Sequence, residues 1–277
     1  MAKPGIVYGN ITTTLASFLF ASRLHPDIAH LIAALLGLGL VIGSACVFNN
    51  YIDRHIDAMM ERTRHRALVE GTISKHDALS FAILLGILGF CILFVWTNAL
   101  TAALAGVGFV FYVVCYSWAK RRAYWGTLVG SVSGAMPIIV GYTAVTAKID
   151  YAAVILFLTL VVWQMPHFYA IALNRMKDYE RAGIPVLPLV YGARRTKLSI
   201  VLYVVVFIFA AETLSLKGYA GISYAVVIAI AGGWWLVLAV QGMGPDADPT
   251  WAKQVFKASL IVLLAFCAVL ALSPVLP

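Results

Sequence analysis

The sequence predicts an all-α fold: a polytopic membrane helical bundle with nine transmembrane helices, its N-terminus cytoplasmic and its C-terminus periplasmic. Three observations carry this. Hydrophobic residues make up 62% of the 277 and charged residues only 12%, about half the charged share of a soluble domain. The apolar residues fall in continuous runs long enough for the roughly 20 residues a membrane helix needs. Lys and Arg gather in alternate intervals between those runs. Lipid admits only helices or closed barrels, and long unbroken runs mean helices.

The first run, about residues 6–22, is short and carries Asn10 and Thr12 to Thr14. The second covers about 28–48. From Ala78 to Ala119 there is no Asp, Glu, Lys or Arg. That is too long for one helix, and Trp96-Thr97-Asn98 offers the break, so it reads as two spans. The remaining five cover about 126–147, 151–173, 198–216, 219–240 and 255–273. With nine spans, seventeen Lys and Arg lie on one face and three (Arg23, Lys148 and Lys217) on the other. By the positive-inside rule the richer face is cytoplasmic. The formal charge of +8 is therefore topological, and no nucleic-acid partner is expected.

Cys46, Cys91, Cys115 and Cys267 all lie inside apolar runs without a CxxC pair, so they read as small apolar residues. Met1-Ala2-Lys3-Pro4 leads almost at once into the first run, with no cleavable signal or Arg-rich transit segment. The expected location is the bacterial cytoplasmic (inner) membrane.

Two long intervals, about 51–77 and 174–197, fall on the basic face. Each is opened by Asn-x-x-x-Asp, Asn49 to Asp53 in one and Asn174 to Asp178 in the other, followed by a basic stretch with a Gly. The chain therefore reads as a single domain, 1–277, of two four-helix pseudo-repeats, about 1–122 and 123–240, with a ninth helix at 255–273.

If the second helix continues through its motif, Asn49, Asp53 and Asp57 line one face, because four residues turn about 400°. Polar residues are ordinary where a helix end meets water. Carboxylates at a helix C-terminus, however, oppose its dipole, and a row of hard oxygens suits a divalent cation. Mg²⁺ takes one or two protein carboxylates and bridges substrate phosphates. Asn174 and Asp178 supply a second row. Arg62 and Arg66 are spaced i, i+4, as are Tyr116 and Lys120 at the basic end of span four. These can bind a diphosphate and steady a leaving group, although Lys120-Arg121-Arg122 also serves simply to orient the chain.

His167 lies within span six, seven residues before Asn174 and about 10 Å deeper along the axis. An ionisable residue at membrane depth is a functional candidate. It could bind a polar group, act as a base or ligate an iron, or it could be a neutral His bonded between helices. Pro166 beside it can kink the helix. Glu212 sits near the outer end of span seven and reads as outward-facing or paired. Gly126, Gly130, Gly134 and Gly141 read first as packing residues that let helices approach closely; the alternative is that they leave room for a bulky flat or long-chain substrate.

Together these residues resemble the UbiA-type intramembrane prenyltransferases, whose pattern Asn-x-x-x-Asp-x-x-x-Asp runs on to Arg-Thr-x-x-Arg. Here it stands as Asn49, Asp53, Asp57 and Arg62-Thr63-Arg64-His65-Arg66. The resemblance covers essentially the whole chain. Trp163-Gln164-Met165-Pro166-His167 and the segment 177–188 are similar to the haem-modifying branch rather than to the quinone-pathway branch. Asn174 stands where many relatives have Asp, Ala67 where they often have Pro, and Met136-Pro137 where Pro-Pro is common. The resemblance implies an enzyme that moves a farnesyl group from farnesyl diphosphate to a vinyl group of haem B, releasing diphosphate. It implies Mg²⁺ held by Asn49, Asp53, Asp57, Asn174 and Asp178, with Asp53, Asp57, Lys120 and Tyr116 catalytic. Arg62, Arg66 and Lys120 would bind substrate, and His167 would contact the haem. The product would pass to haem A synthase or a terminal oxidase, and the active site would face the cytoplasm. A quinone-pathway prenyltransferase would share the metal motif. A secondary transporter, the non-enzyme alternative, would put its ionisable residues near mid-membrane, whereas here the carboxylates gather at one face.

Overall fold

The computed structural model describes residues 3–243 and 249–277; Met1 and Ala2 of the N-terminal segment lie outside them. Among the described residues the chain is all helix, with no strand. The long helices are α1 (Pro4–Ala21), α2 (Ile28–Met59), α3 (Lys75–Trp96), α4 (Ala99–Ala119), α5 (Gly126–Thr146), α6 (Tyr151–Asn174), α7 (Leu187–Leu216), α8 (Ile222–Gln241) and α9 (Pro249–Leu272). Short polar side chains start several of them. Asp27 accepts from the backbone N–H of His30, Ser74 from Asp77, Asn98 from Thr101 and Asp150 from Ala153. Such a cap is worth about 1 kcal/mol. The Asn98 cap is the break expected between spans three and four, and its amide also donates to Thr143 O at 2.9 Å.

Eight of these helices, α2 to α9, are long and apolar enough to cross a membrane. The α1 helix, expected as a further span, is not among them, because Asn10 and the Thr12 to Thr14 run dilute its apolar residues. Phe209 and Ile230 are each 69% exposed, as befits side chains whose solvent is lipid.

The packing is a ring. The α2 helix packs on α3, α4 on α5, α5 on α6, α6 on α7, α7 on α8 and α8 on α9, and α9 closes on α1, which also packs on α2 and α5. Glycines of α5 set its close approaches. A Cβ on Gly141 would sit 2.2 Å from Thr14 O of α1, and one on Gly134 would sit 2.0 Å from Gln164 Oε1 of α6. Gln164 spends its amide on Ser131 O and Leu160 O, each at 2.9 Å. All four cysteines are free.

Three expectations change. Residues 187–197 are not loop: α7 starts at Leu187, eleven residues earlier than the apolar run, and Met176–Arg181 forms a further short helix. Gly192, at φ 81° and ψ 168°, breaks the first part of α7 from the rest. Glu212 is half-buried with no partner for Oε1 among the described residues, so it is not paired. Pro166 does not interrupt α6, which runs unbroken from Tyr151 to Asn174.

Candidate active site

The site forms where α2 outruns the bundle. A 32-residue helix is about 48 Å long, against a hydrocarbon core of about 30 Å. The α2 helix does continue through the motif, and Asn49, Asp53 and Asp57 are all buried on one face. Buried carboxylates need compensation, and each has it. Asp53 pairs with Lys120 through Oδ2 and with Arg121 through Oδ1 at 3.1 Å. Asp57 pairs with Arg66, while its backbone carbonyl accepts from the Thr63 hydroxyl at 2.9 Å. The basic tail of the first motif thus folds back over its own carboxylates.

The end of α4 supplies the opposite wall. Tyr112 stacks on Tyr116 with 5.8 Å between ring centroids, and the Lys120 ammonium lies 5.0 Å from the centre of the Tyr116 ring. Residues 111–116 form a π-helical turn, a distortion frequent at functional sites. Gly130 of α5 makes space for Tyr116: a Cβ there would sit 2.9 Å from the ring. Asn49 is held at both ends of its amide, donating to Ser117 Oγ at 3.2 Å and accepting from Lys3 Nζ at 2.7 Å and Tyr112 OH at 3.4 Å. Burial and the neighbouring Arg66 charge bring the Lys3 ammonium down to about 8. Burial also lowers Lys120, against the opposing pull of Asp53.

The second motif arrives from α6 and the short helix after it. Asp178 is buried, accepts from the Glu61 backbone N–H at 3.3 Å and lies 3.9 Å from Arg175. Arg181 reaches Glu61 at 3.6 Å. Met60, Ala172, Ala182, Ile184 and Val186 form an apolar cluster beneath, with Ile56 and Tyr179 against it. Burial raises the Tyr179 hydroxyl, against the lowering charge of Arg62. The two motifs therefore meet. Asn174 is half-buried and Arg62 exposed, and neither makes a side-chain hydrogen bond among the described residues.

His167 lies in the seam between α6 and α9. Its ring stacks on Trp163 at 4.9 Å, meets Phe256 at 4.9 Å, and places Nδ1 2.7 Å from Ser259 Oγ. Ser259 has one hydroxyl proton, and Phe256 O takes it at 2.6 Å. The Ser259 hydroxyl thus ties the His167 ring to the backbone of α9.

Sequence reasoning missed Lys3, Tyr112, Ser117 and Arg121 as site residues. Tyr112 continues the Tyr116, Lys120 spacing by one more step of four, a signal that was available. In the sequence Lys3 is one of the seventeen basic-face charges and nothing more sets it apart.

Residues 10–272 match the UbiA prenyltransferase family. A protein of Photorhabdus laumondii named protoheme IX farnesyltransferase is 45% identical over 278 residues, spanning 100% of this chain and 95% of that one. Among solved structures, digeranylgeranylglyceryl phosphate synthase aligns with a TM-score of 0.81 at 19% identity, covering 98% of this chain and 95% of that one. A UbiA homologue from Archaeoglobus fulgidus bound to DMAPP and Mg²⁺ aligns with a TM-score of 0.68 at 14% identity, covering 95% and 96%. At these identities the structures speak for the fold alone.

Proposed function

This chain belongs to the UbiA prenyltransferase family, and from that premise we propose that it transfers a farnesyl group from farnesyl diphosphate to a vinyl group of haem B, giving haem O. One observation carries the chemistry: two Asn-x-x-x-Asp segments meet at one end of an apolar bundle, with cationic side chains against their buried carboxylates. The acceptor rests on the full-length similarity to protoheme IX farnesyltransferase.

The allylic C–O bond of the diphosphate breaks and leaves its electron pair on the leaving oxygen. Arg66, Lys120 and Arg62 offset that charge, and a site walled by low-dielectric helices makes each worth more than in water. The vinyl π electrons close the new C–C bond, and water adds to the resulting cation with loss of a proton. Exclusion of water until then is the work of the apolar walls.

Mg²⁺ fits the donors present. Asn49, Asp53, Asp57, Asn174 and Asp178 carry hard oxygens, the donor type of a cation shared with substrate phosphates. When bound, it would supply further charge neutralisation to the leaving diphosphate. Asp53 and Asp57 keep Lys120 and Arg66 in place, and Tyr116 supports the Lys120 ammonium. His167 offers Nε2 to the haem.

In this reading α1 is the ninth span. Its polar groups are satisfied within the protein: Asn10 donates to Ile6 O, Thr12 to Tyr8 O, and Thr13 and Thr14 to Asn10 O. The single domain comprises α1–α4, α5–α8 and the appended α9. The charge asymmetry supports a cytoplasmic N-terminus and site and a periplasmic C-terminus in a bacterial inner membrane. The product serves haem A synthase or a terminal oxidase. Purified protein given farnesyl diphosphate, Mg²⁺ and either haem B or a quinone-precursor aromatic acid should prenylate only the haem. Prenylation of the aromatic acid alone would refute the acceptor.

A further inference from the structure

Lys3 stands apart from the other cations of the site. It takes φ 46° and ψ 71°, a left-handed conformation unfavourable for a residue other than glycine. Pro4 follows it as the first residue of α1, and a residue before proline is pushed away from the right-handed helical region. The extended region stayed open to it, yet the chain turns left-handed. In that turn the side chain runs inward, with Nζ 2.7 Å from Asn49 Oδ1 and 3.3 Å from Tyr112 OH. Both partners are neutral. Lys120 and Arg121 already compensate Asp53, and Arg66 compensates Asp57. Among the described residues Lys3 has no carboxylate partner. A structural lysine in a half-buried setting pairs with an anion; this one lies near Arg66 and Lys120, whose charges oppose its own, and feels Asp53 only at a distance, with no ion pair to it among the described residues.

Lys3, Asn50, His65 and Arg66 line a cavity of about 300 Å³ at this end of the bundle. Like charges drawn around one cavity repel one another and attract an anion. Held there by the turn before Pro4, an ammonium with three N–H donors and only neutral acceptors is set to receive phosphate oxygens.

We propose that Lys3 is a binding residue for the diphosphate of the prenyl substrate, so that the residue just ahead of α1 forms part of the active site. The proposal rests on the prenyl diphosphate reading above.

The test uses the full chain in detergent, with inorganic pyrophosphate and Mg²⁺ as the binding probe and farnesyl diphosphate for turnover. Lys3→Gln should weaken pyrophosphate binding at least tenfold and raise KM for farnesyl diphosphate more than it lowers kcat. Lys3→Arg should recover most of both. Arg66→Gln serves as the reference for the site. If Arg66→Gln weakens pyrophosphate binding and Lys3→Gln binds within twofold of the parent chain, Lys3 only orients Asn49 and the proposal is wrong, while the diphosphate reading stands. If neither variant weakens binding, the reading of the whole site fails with it. Should Lys3→Gln not fold, reductive methylation of the unaltered protein reads the same contact. Pyrophosphate should slow modification of the Lys3 amine, and an unchanged rate would overturn the proposal.

Discussion

The backbone N–H of Glu61 donates to Asp178 Oδ1 at 3.3 Å, joining positions 117 residues apart. Through this bond the segment after α2 and the segment after α6 form one surface, although each motif alone is only the end of a helix. Asp178→Ala should untie them. It removes the acceptor and leaves Arg175 without its carboxylate. Turnover should fall at least tenfold and proteolysis within 60–72 and 176–186 should quicken, with the melting temperature of the bundle little changed, because its core lies elsewhere. Unaltered proteolysis would show that the two segments hold together without this bond.

Asp53 anchors two cations at once, Lys120 and Arg121. Asp53→Asn keeps the shape and removes the charge. Turnover should drop by about a hundredfold or more, equivalent to about 2.7 kcal/mol of barrier, and the Mg²⁺ concentration needed for half-maximal rate should rise. Buried Lys120 loses its counter-ion, so the melting temperature should also fall. Turnover within threefold of the parent chain would remove Asp53 from the catalytic group.

Gly130 is a spacing residue for Tyr116. Gly130→Val places methyl groups where the ring now lies, and Tyr116 must swing from beneath Lys120. We expect kcat to fall about tenfold. Tyr116→Leu should cost a similar amount, and the double variant should cost little more than either, because both act through one ring. Additive losses in that cycle would separate Gly130 from Tyr116.

His167 and Ser259 make a graded pair. Removing the imidazole with His167→Ala should weaken haem B binding, followed by its absorption band, and lower turnover. Ser259→Ala leaves the ring but removes its hydrogen-bond partner, so its effect should have the same direction and smaller size. Unchanged haem affinity and turnover in His167→Ala would leave the residue as packing between α6 and α9.

Much of this was legible in the sequence because hydropathy and helical spacing are local. The runs, the break at Asn98, the shared face of Asn49, Asp53 and Asp57, and the unpaired cysteines all follow from neighbours in the chain. The start of α7 was hidden because Arg194, Arg195 and Lys197 interrupt its apolar pattern although the backbone there is helical on both sides of the break at Gly192. Other features depend on which helices touch. Lys120 meets Asp53 across 67 residues, Lys3 meets Asn49 across 46, and His167 meets Ser259 across 92. No spacing rule reaches that far. The basic residues looked alike in sequence; packing separates Lys3, Arg66, Lys120 and Arg121, which enter the site, from Arg64, which pairs at the surface with Glu61.

The central claim is farnesyl transfer to haem. Its most direct test is extraction and chromatography of haems from membranes of a host that lacks this activity, with and without the chain. Haem O, heavier than haem B by a hydroxyethylfarnesyl group, should appear only with the chain present and vanish in Asp53→Asn. Membranes that hold the folded chain and farnesyl diphosphate yet contain haem B alone would contradict it.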